Sequence, residues 1–144
     1  MSATGDLDEV LAGQSGKYHW VLRAGPVSDV FVTHLDIYAG ERHVDGGGMG
    51  GRAVPSPSKP VQYSYGRRDD LPVTVAARCM VHVDRMVAVA DDGSETEMTL
   101  SEPVEKFGMK FAACLLPASS ELAGLRAESH GKVIFEGAAH HLHQ

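Results

Sequence analysis

Two cysteines in 144 residues are too few for a disulfide framework. Cys79 and Cys114 stand in apolar runs rather than in a CxxC or a Cys/His group, so they are expected to be buried, reduced and unreactive. The single tryptophan, Trp20, precedes both, which breaks the cysteine, tryptophan, cysteine order of an immunoglobulin domain. Basic residues are also short: 13 Lys and Arg against 19 Asp and Glu leave a formal net charge of −6 and a pI near 5.7. That balance excludes capture of nucleic acid or anionic lipid by overall charge, and the one Lys/Arg pair, Arg67-Arg68, is cancelled at once by Asp69-Asp70. Aromatics make up 6% of the chain, too few for a stacking platform on single-stranded nucleic acid. No apolar run reaches the roughly 18 residues of a membrane-spanning helix. The opening residues, MSATGDLDEVLAGQSGKYHW, lack a basic flank and an apolar stretch, so no secretory signal is expected and the location expected is cytoplasmic.

What is present is alternation. In 73 to 83, VTVAARCMVHV, every odd position is apolar while Thr74, Arg78 and His82 fall between, the period of a half-buried strand or of two strands joined by a bend. KYHWVLRA sets Tyr18, Trp20, Leu22 and Ala24 against His19, Val21 and Arg23; VFVTHLDIYA sets Phe31, Leu35, Ile37 and Ala39 against His34 and Asp36. Asp92-Gly93 and His130-Gly131 sit where hairpins turn, and MKFAACLL reads as a further strand. The best helix candidate is only a short turn over 6 to 12.

These features predict an all-β protein: an antiparallel β-sandwich, Ig-like or jelly-roll-like, of about seven or eight strands, with a small barrel as the alternative. The expected organisation is a flexible segment over 1–16, one domain over 17–137, and a disordered His-rich tail over 138–144. The core expected is Trp20, Leu22, Phe31, Leu35, Val75, Ala77, Val81, Phe111, Ala113 and Leu115, each on the apolar face of an alternating run.

The stretch 40–72 departs from the pattern and reads as a long Gly/Pro-rich loop, the place to look for function. Its run DGGGMGG lacks the lysine and Ser/Thr of a P-loop, and the prolines after it forbid a helix, so it is not a phosphate cradle. Gly46, Gly47, Gly48, Gly50 and Gly51 instead read as a pivot, a backbone that takes positive φ or passes close to a neighbour. Met49, flexible and flanked by glycine, is expected to make a partner contact with Tyr63, Tyr65 and Arg67.

Two His-x-Asp pairs, His34/Asp36 and His82/Asp84, place an imidazole and a carboxylate on one strand face, and with a distant histidine this is the ligand set of non-haem iron oxygenases. The alternative to a binding protein is therefore a small metal-dependent enzyme using His82, Asp84 and His130. Neither the cupin pattern nor a legible Ser/His/Asp or Cys/His nucleophile set is present. His140, His141 and His143 in the tail can bind divalent ions adventitiously. No cofactor is expected. The partner expected is another protein or a second copy of the chain, with no membrane and no nucleic acid.

The succession DGGGMGG, proline-rich segment, tyrosines, RDDLP, VTVAARCMVHVDRMVAV, DGSE and FGMKFAACLLP resembles a group of uncharacterised small proteins of high-GC actinobacteria, over Gly16 to Glu136. The resemblance implies an intact single domain of non-secreted origin and carries no activity.

Overall fold

A computed structural model describes residues 7–51 and 54–138. Among them there is no helix. The described residues form twelve strands: β1 (Asp8–Ser15), β2 (Tyr18–Val27), β3 (Val30–Ala39), β4 (Arg42–Gly51), β5 (Val61–Gly66), β6 (Val73–Cys79), β7 (Arg85–Ala90), β8 (Glu95–Glu97), β9 (Thr99–Leu100), β10 (Lys110–Leu116), β11 (Leu122–Ser129) and β12 (Lys132–Ala138). They build three antiparallel four-stranded sheets, β1-β2-β3-β4, β5-β6-β10-β9 and β12-β11-β7-β8, here called A, C and D. The expected all-β antiparallel sandwich is present, with no sheet closed into a barrel and with more strands than the seven or eight expected.

The extra strands make a third layer. One core cluster joins Val75, Ala77, Cys79, Cys114 and Leu116 of sheet C to Met86, Ala88, Leu125 and Ala127 of sheet D. A second joins Ala76, Phe111, Ala113 and Leu115, on the other face of sheet C, to Trp20, Leu22, Leu35 and Ile37 of sheet A. Sheet C is thus buried on both faces, and β6 is not the half-buried strand its alternation predicts. Its second face carries the small Ala76 and the buried Arg78 because sheet A covers it. In β10, by contrast, FAACLL is apolar at successive positions, as a strand buried on both faces requires. Residues 95–100 pass between layers: Glu95–Glu97 pairs with β7, Thr99–Leu100 pairs with β10, and Met98 at the corner is buried.

The turns are the expected ones. His130 and Gly131 both have positive φ (54° and 78°) and close β11 on β12 in two residues. The predicted core is not one cluster: Val75 and Ala77 pack between sheets C and D, Trp20, Leu22, Leu35, Phe111, Ala113 and Leu115 pack between sheets A and C, and Val81 lies outside both. β6 ends at Cys79, the turn bonded from Val83 N–H to Met80 O takes over, and Val81 swings to 44% exposure while Val83 goes inside. Phe31 is only half-buried, packed on Phe107 (5.0 Å) and Phe111 (6.3 Å) at the mouth of the A–C interface.

Two expectations about organisation are corrected. Within the segment 1–16, Asp8–Ser15 is a strand paired with β2, because Leu11 and Val10 pack on the A–C core. The stretch 40–72 is not one loop: DGGGMGG lies inside β4, paired with β3 residue by residue, and VQYSYG forms β5. Of the expected tail over 138–144, Ala138 ends β12 and 139–144 lie outside the described residues, as do residues 1–6, 52 and 53. Cys79 and Cys114 are both free and buried, and burial pushes each thiol up to about 12, so neither is a nucleophile near neutral pH.

Candidate functional site

Sheet A turns one face to the core and leaves the other open. Counting outward from the two-residue turn at 28 and 29, the register sets Arg23 opposite His34, Val21 opposite Asp36 and His19 opposite Tyr38 on that open face. From β4, His43 stands opposite Tyr38, Gly46 opposite Asp36 and Gly48 opposite His34. One residue, Val44, is extra between these pairings, a bulge of the kind that re-aims a neighbouring side chain.

Four of these side chains converge. Asp36, on the outward face as the alternation predicts, is nevertheless only 8% exposed because its neighbours cover it. Arg23 Nη1 donates to Oδ2 at 2.9 Å, while His34 Nε2 and His43 Nε2 lie 3.1 and 2.8 Å from Oδ1. An ionised carboxylate only accepts, so both imidazoles present N–H from Nε2 to it. An aromatic ladder continues the site: His43 meets Tyr38 edge-on at 5.3 Å, and Tyr38 stacks on His19 at 4.9 Å.

The glycines are not equivalent beneath this cluster, and none of the five has positive φ. A paired edge strand stands where the loop pivot was expected, and close approach is found at Gly46 and Gly48 alone. A Cβ on Gly46 would stand 2.7 Å from Asp36 Oδ1, 3.2 Å from His34 Nε2 and 3.3 Å from His43 Nε2, in the middle of the cluster. A Cβ on Gly48 would lie 2.1 Å from the Thr33 carbonyl oxygen and 2.9 Å from His34 Cα, backbone atoms that cannot rotate away. Gly47 and Gly51 have nothing within 4 Å, and Gly50 has only Val32 Cγ2 at 3.6 Å. Alanine is therefore expected to cost about 1–3 kcal/mol at Gly48, as overpacking does, and to be neutral or slightly stabilising at Gly47. Urea melts of the two variants check the contrast; equal midpoints would overturn it.

The expected contact group does not gather. Tyr63 and Tyr65 stand opposite Ala77 and Val75 and pack on the C–D core, Tyr63 edge-on to Phe135 at 6.3 Å. Met49 lies half-buried on sheet A opposite Thr33, on the other side of sheet C. Arg67 is engaged structurally, Nη1 donating to the carbonyls of Ala118 (2.7 Å) and Ser120 (3.2 Å). Alternation placed the tyrosines on one face correctly, but that face is the inner one.

The set His82, Asp84 and His130 meets at one end of sheet D through the backbone rather than through its rings. Asp84 Oδ2 accepts the His130 N–H at 2.7 Å and the His82 carbonyl accepts from Ser129 Oγ at 2.8 Å, which fixes the β11–β12 turn. Among the described residues no group of three or more His, Cys, Asp or Glu could hold a metal ion. Of the convergent cluster, sequence reasoning picked out His34 and Asp36 as a pair and missed Arg23 and His43. The hairpin count places Arg23 in plain view; the bulge at Val44 hides His43. No family model, curated protein or solved structure matches the chain.

Proposed function

We propose that this chain is a non-catalytic, cytoplasmic protein-binding module that assembles by adding a strand to the free edge of β4, its partner a second copy of itself. The observation that carries the reading is the contrast among the sheet edges. β4 ends sheet A, and from Gly46 to Gly51 it carries no charge and a single side chain, that of Met49. An edge of unpaired N–H and C=O groups is a template for strand pairing unless it is blunted. The other edges have such protection: β1 holds Asp8 and Glu9, β12 holds Lys132 and Glu136, β9 has two residues, and β5 is half-buried along its length. On β8, Glu95 is gripped by both terminal nitrogens of Arg126 at 3.1 Å and Glu97 by Arg85. A glycine edge offers no side-chain pockets with which to read a foreign sequence. Symmetric pairing of two β4 strands needs none, since each satisfies the other's backbone. Two buried free thiols fit a reducing compartment, and among the described residues no helix is long and apolar enough to cross a membrane.

Gly47 supplies the test, because its open surroundings accept a side chain without disturbing the monomer. Gly47→Glu places like charges on both strands of a symmetric pair. The wild-type chain is expected to sediment as a dimer, and Gly47→Glu as a monomer with an unchanged thermal melt. A wild-type chain that remains monomeric at high concentration, or a Gly47→Glu chain that still dimerises, overturns the proposal.

A further inference from the structure

We infer that two copies of the chain join at β4 about a two-fold axis through Gly48, with Met49 of each copy packed over Gly47 of the other. The inference rests on the strand addition proposed above and fixes its register. A strand with almost no side chains specifies register only weakly, so the choice falls to the backbone ladder and to the two side chains that interrupt the glycines, Asp45 and Met49.

The ladder decides which residues face the free edge. Val27 and Val30 flank the two-residue turn between β2 and β3, and the turn closes with hydrogen bonds between them. Bonding alternates along an antiparallel strand, so the even-numbered residues of β3 turn their N–H and C=O groups to β2 and the odd-numbered ones to β4. Leu35 and Thr33 are thus bonded to their register partners Gly47 and Met49. Gly46, Gly48 and Gly50, between those pairs, direct their backbone groups to the free edge. In agreement, the Gly46 N–H donates to the carboxylate of its own neighbour, Asp45 Oδ1, at 2.8 Å.

A second copy added antiparallel bonds through the same three glycines. With the axis at Gly48, Gly46 meets the partner's Gly50, Gly48 meets the partner's Gly48 and Gly50 meets the partner's Gly46, each pair exchanging two hydrogen bonds. The Gly46 N–H then passes from the Asp45 carboxylate to the carbonyl of the partner's Gly50. An axis at Gly47 or at Met49 leaves one of the three glycines outside the glycine pairing.

The side chains favour the same axis. Gly47 and Met49 stand opposite the buried Leu35 and Thr33, on the inner face of sheet A. A Cβ on Gly47 meets nothing within 4 Å, so the inner face is bare there. The axis at Gly48 sets Met49 opposite the partner's Gly47, in a pair that lies between bonded ones, where Cα atoms approach to about 4.5 Å. A flexible thioether suits such an open place, and symmetry makes the contact reciprocal. Asp45 falls opposite the partner's Gly51, which keeps the two carboxylates about 20 Å apart along the strands. Sliding the axis toward Asp45 would bring these like charges together, at a cost.

The test adds one thiol to the full chain at a time, as Gly47→Cys or Met49→Cys; Cys79 and Cys114 are buried and do not compete. Each variant is oxidised mildly, alone and in an equimolar mixture, and covalent dimer is read on a non-reducing gel. A disulfide needs Cα atoms within about 7 Å. The expected result is a covalent dimer in the mixture and none in either variant alone, because like positions then stand on a diagonal of about 7–8 Å. Cross-linking of Gly47→Cys alone, or of Met49→Cys alone, moves the axis to that residue and overturns the register while leaving strand addition in place. Absence of a covalent dimer from the mixture, with the wild-type chain dimeric by sedimentation, overturns the register as well. A wild-type chain that sediments only as a monomer overturns both readings.

Discussion

Trp20→Ala is expected to lower the stability of the folded chain by about 3–5 kcal/mol, the cost of removing a large aromatic from a core, and to lower Tm on the order of 10–20 °C. Trp20 is 2% exposed in the core between sheets A and C. Its register partner on β1 is Gly13, and a Cβ there would stand 2.4 Å from the indole Cζ2, so the ring lies directly over bare backbone. Alanine at 20 would leave a cavity floored by a glycine that has no side chain to move in, which places the cost toward the upper end of that range. The edge strand β1 should loosen with it, since Leu11 and Gly13 face the same cluster. Thermal melting and amide exchange of residues 8–15 check both effects. An unchanged melting temperature would mean that the register of β2 against the core is wrong.

The second large effect belongs to Arg78, a guanidinium only 3% exposed in the layer between sheets A and C. Nη1 donates to the Phe31 carbonyl at 2.8 Å and to Thr33 Oγ1 at 3.2 Å on sheet A, while Nε donates to Gln62 Oε1 at 2.7 Å on sheet C. The guanidinium also lies over the Phe31 ring at 5.1 Å. Burial lowers its pKa from the ordinary arginine value, but the guanidinium remains protonated throughout the range in which proteins fold. Arg78→Met keeps much of the volume and removes every donor, leaving the Phe31 carbonyl, the Thr33 hydroxyl and Gln62 Oε1 to find other partners. The expected loss is about 2–4 kcal/mol, mainly from the Phe31 and Thr33 acceptors at about 1–3 kcal/mol each, since the half-buried Gln62 can turn to solvent. Arg78→Lys should be intermediate, because an ammonium cannot span the same fork of acceptors. Denaturant midpoints for the pair decide the matter. Stability equal to wild type in Arg78→Met would show that apolar contact alone holds the two sheets together, as when buried ionic groups are replaced by well-packed apolar ones.

Much of this protein is readable before folding, and the exceptions share a cause. Alternation in KYHWVLRA and VFVTHLDIYA names the inner and outer faces of β2 and β3 correctly, down to the outward His34 and Asp36. The turn residues at 92–93 and 130–131 are where hairpins close. The same alternation misleads in VTVAARC, where Arg78 looks like a solvent-facing residue and is in fact the bridge between two sheets. It misleads again at Tyr63 and Tyr65, which share a face as expected but turn it to the core. Period two distinguishes one face of a strand from the other; it does not say whether a further sheet lies over the second face.

The sequence by itself determined the class of fold, the strands of sheet A from Tyr18 to Ala39, most of their faces, the hairpin turns and the apolar identity of the two cysteines. These follow from local sterics and burial of alternate residues, which act over a few neighbouring positions. Only the tertiary structure decided that there are three layers, that the glycine run is an edge strand rather than a loop, and that Asp36 collects Arg23, His34 and His43. Each of those depends on pairing between distant segments and, for His43, on one extra residue at Val44. The roles of the glycines divide for the same reason. Gly46 and Gly48 are constrained by what β3 places against them, while Gly47, identical in the sequence, faces open space.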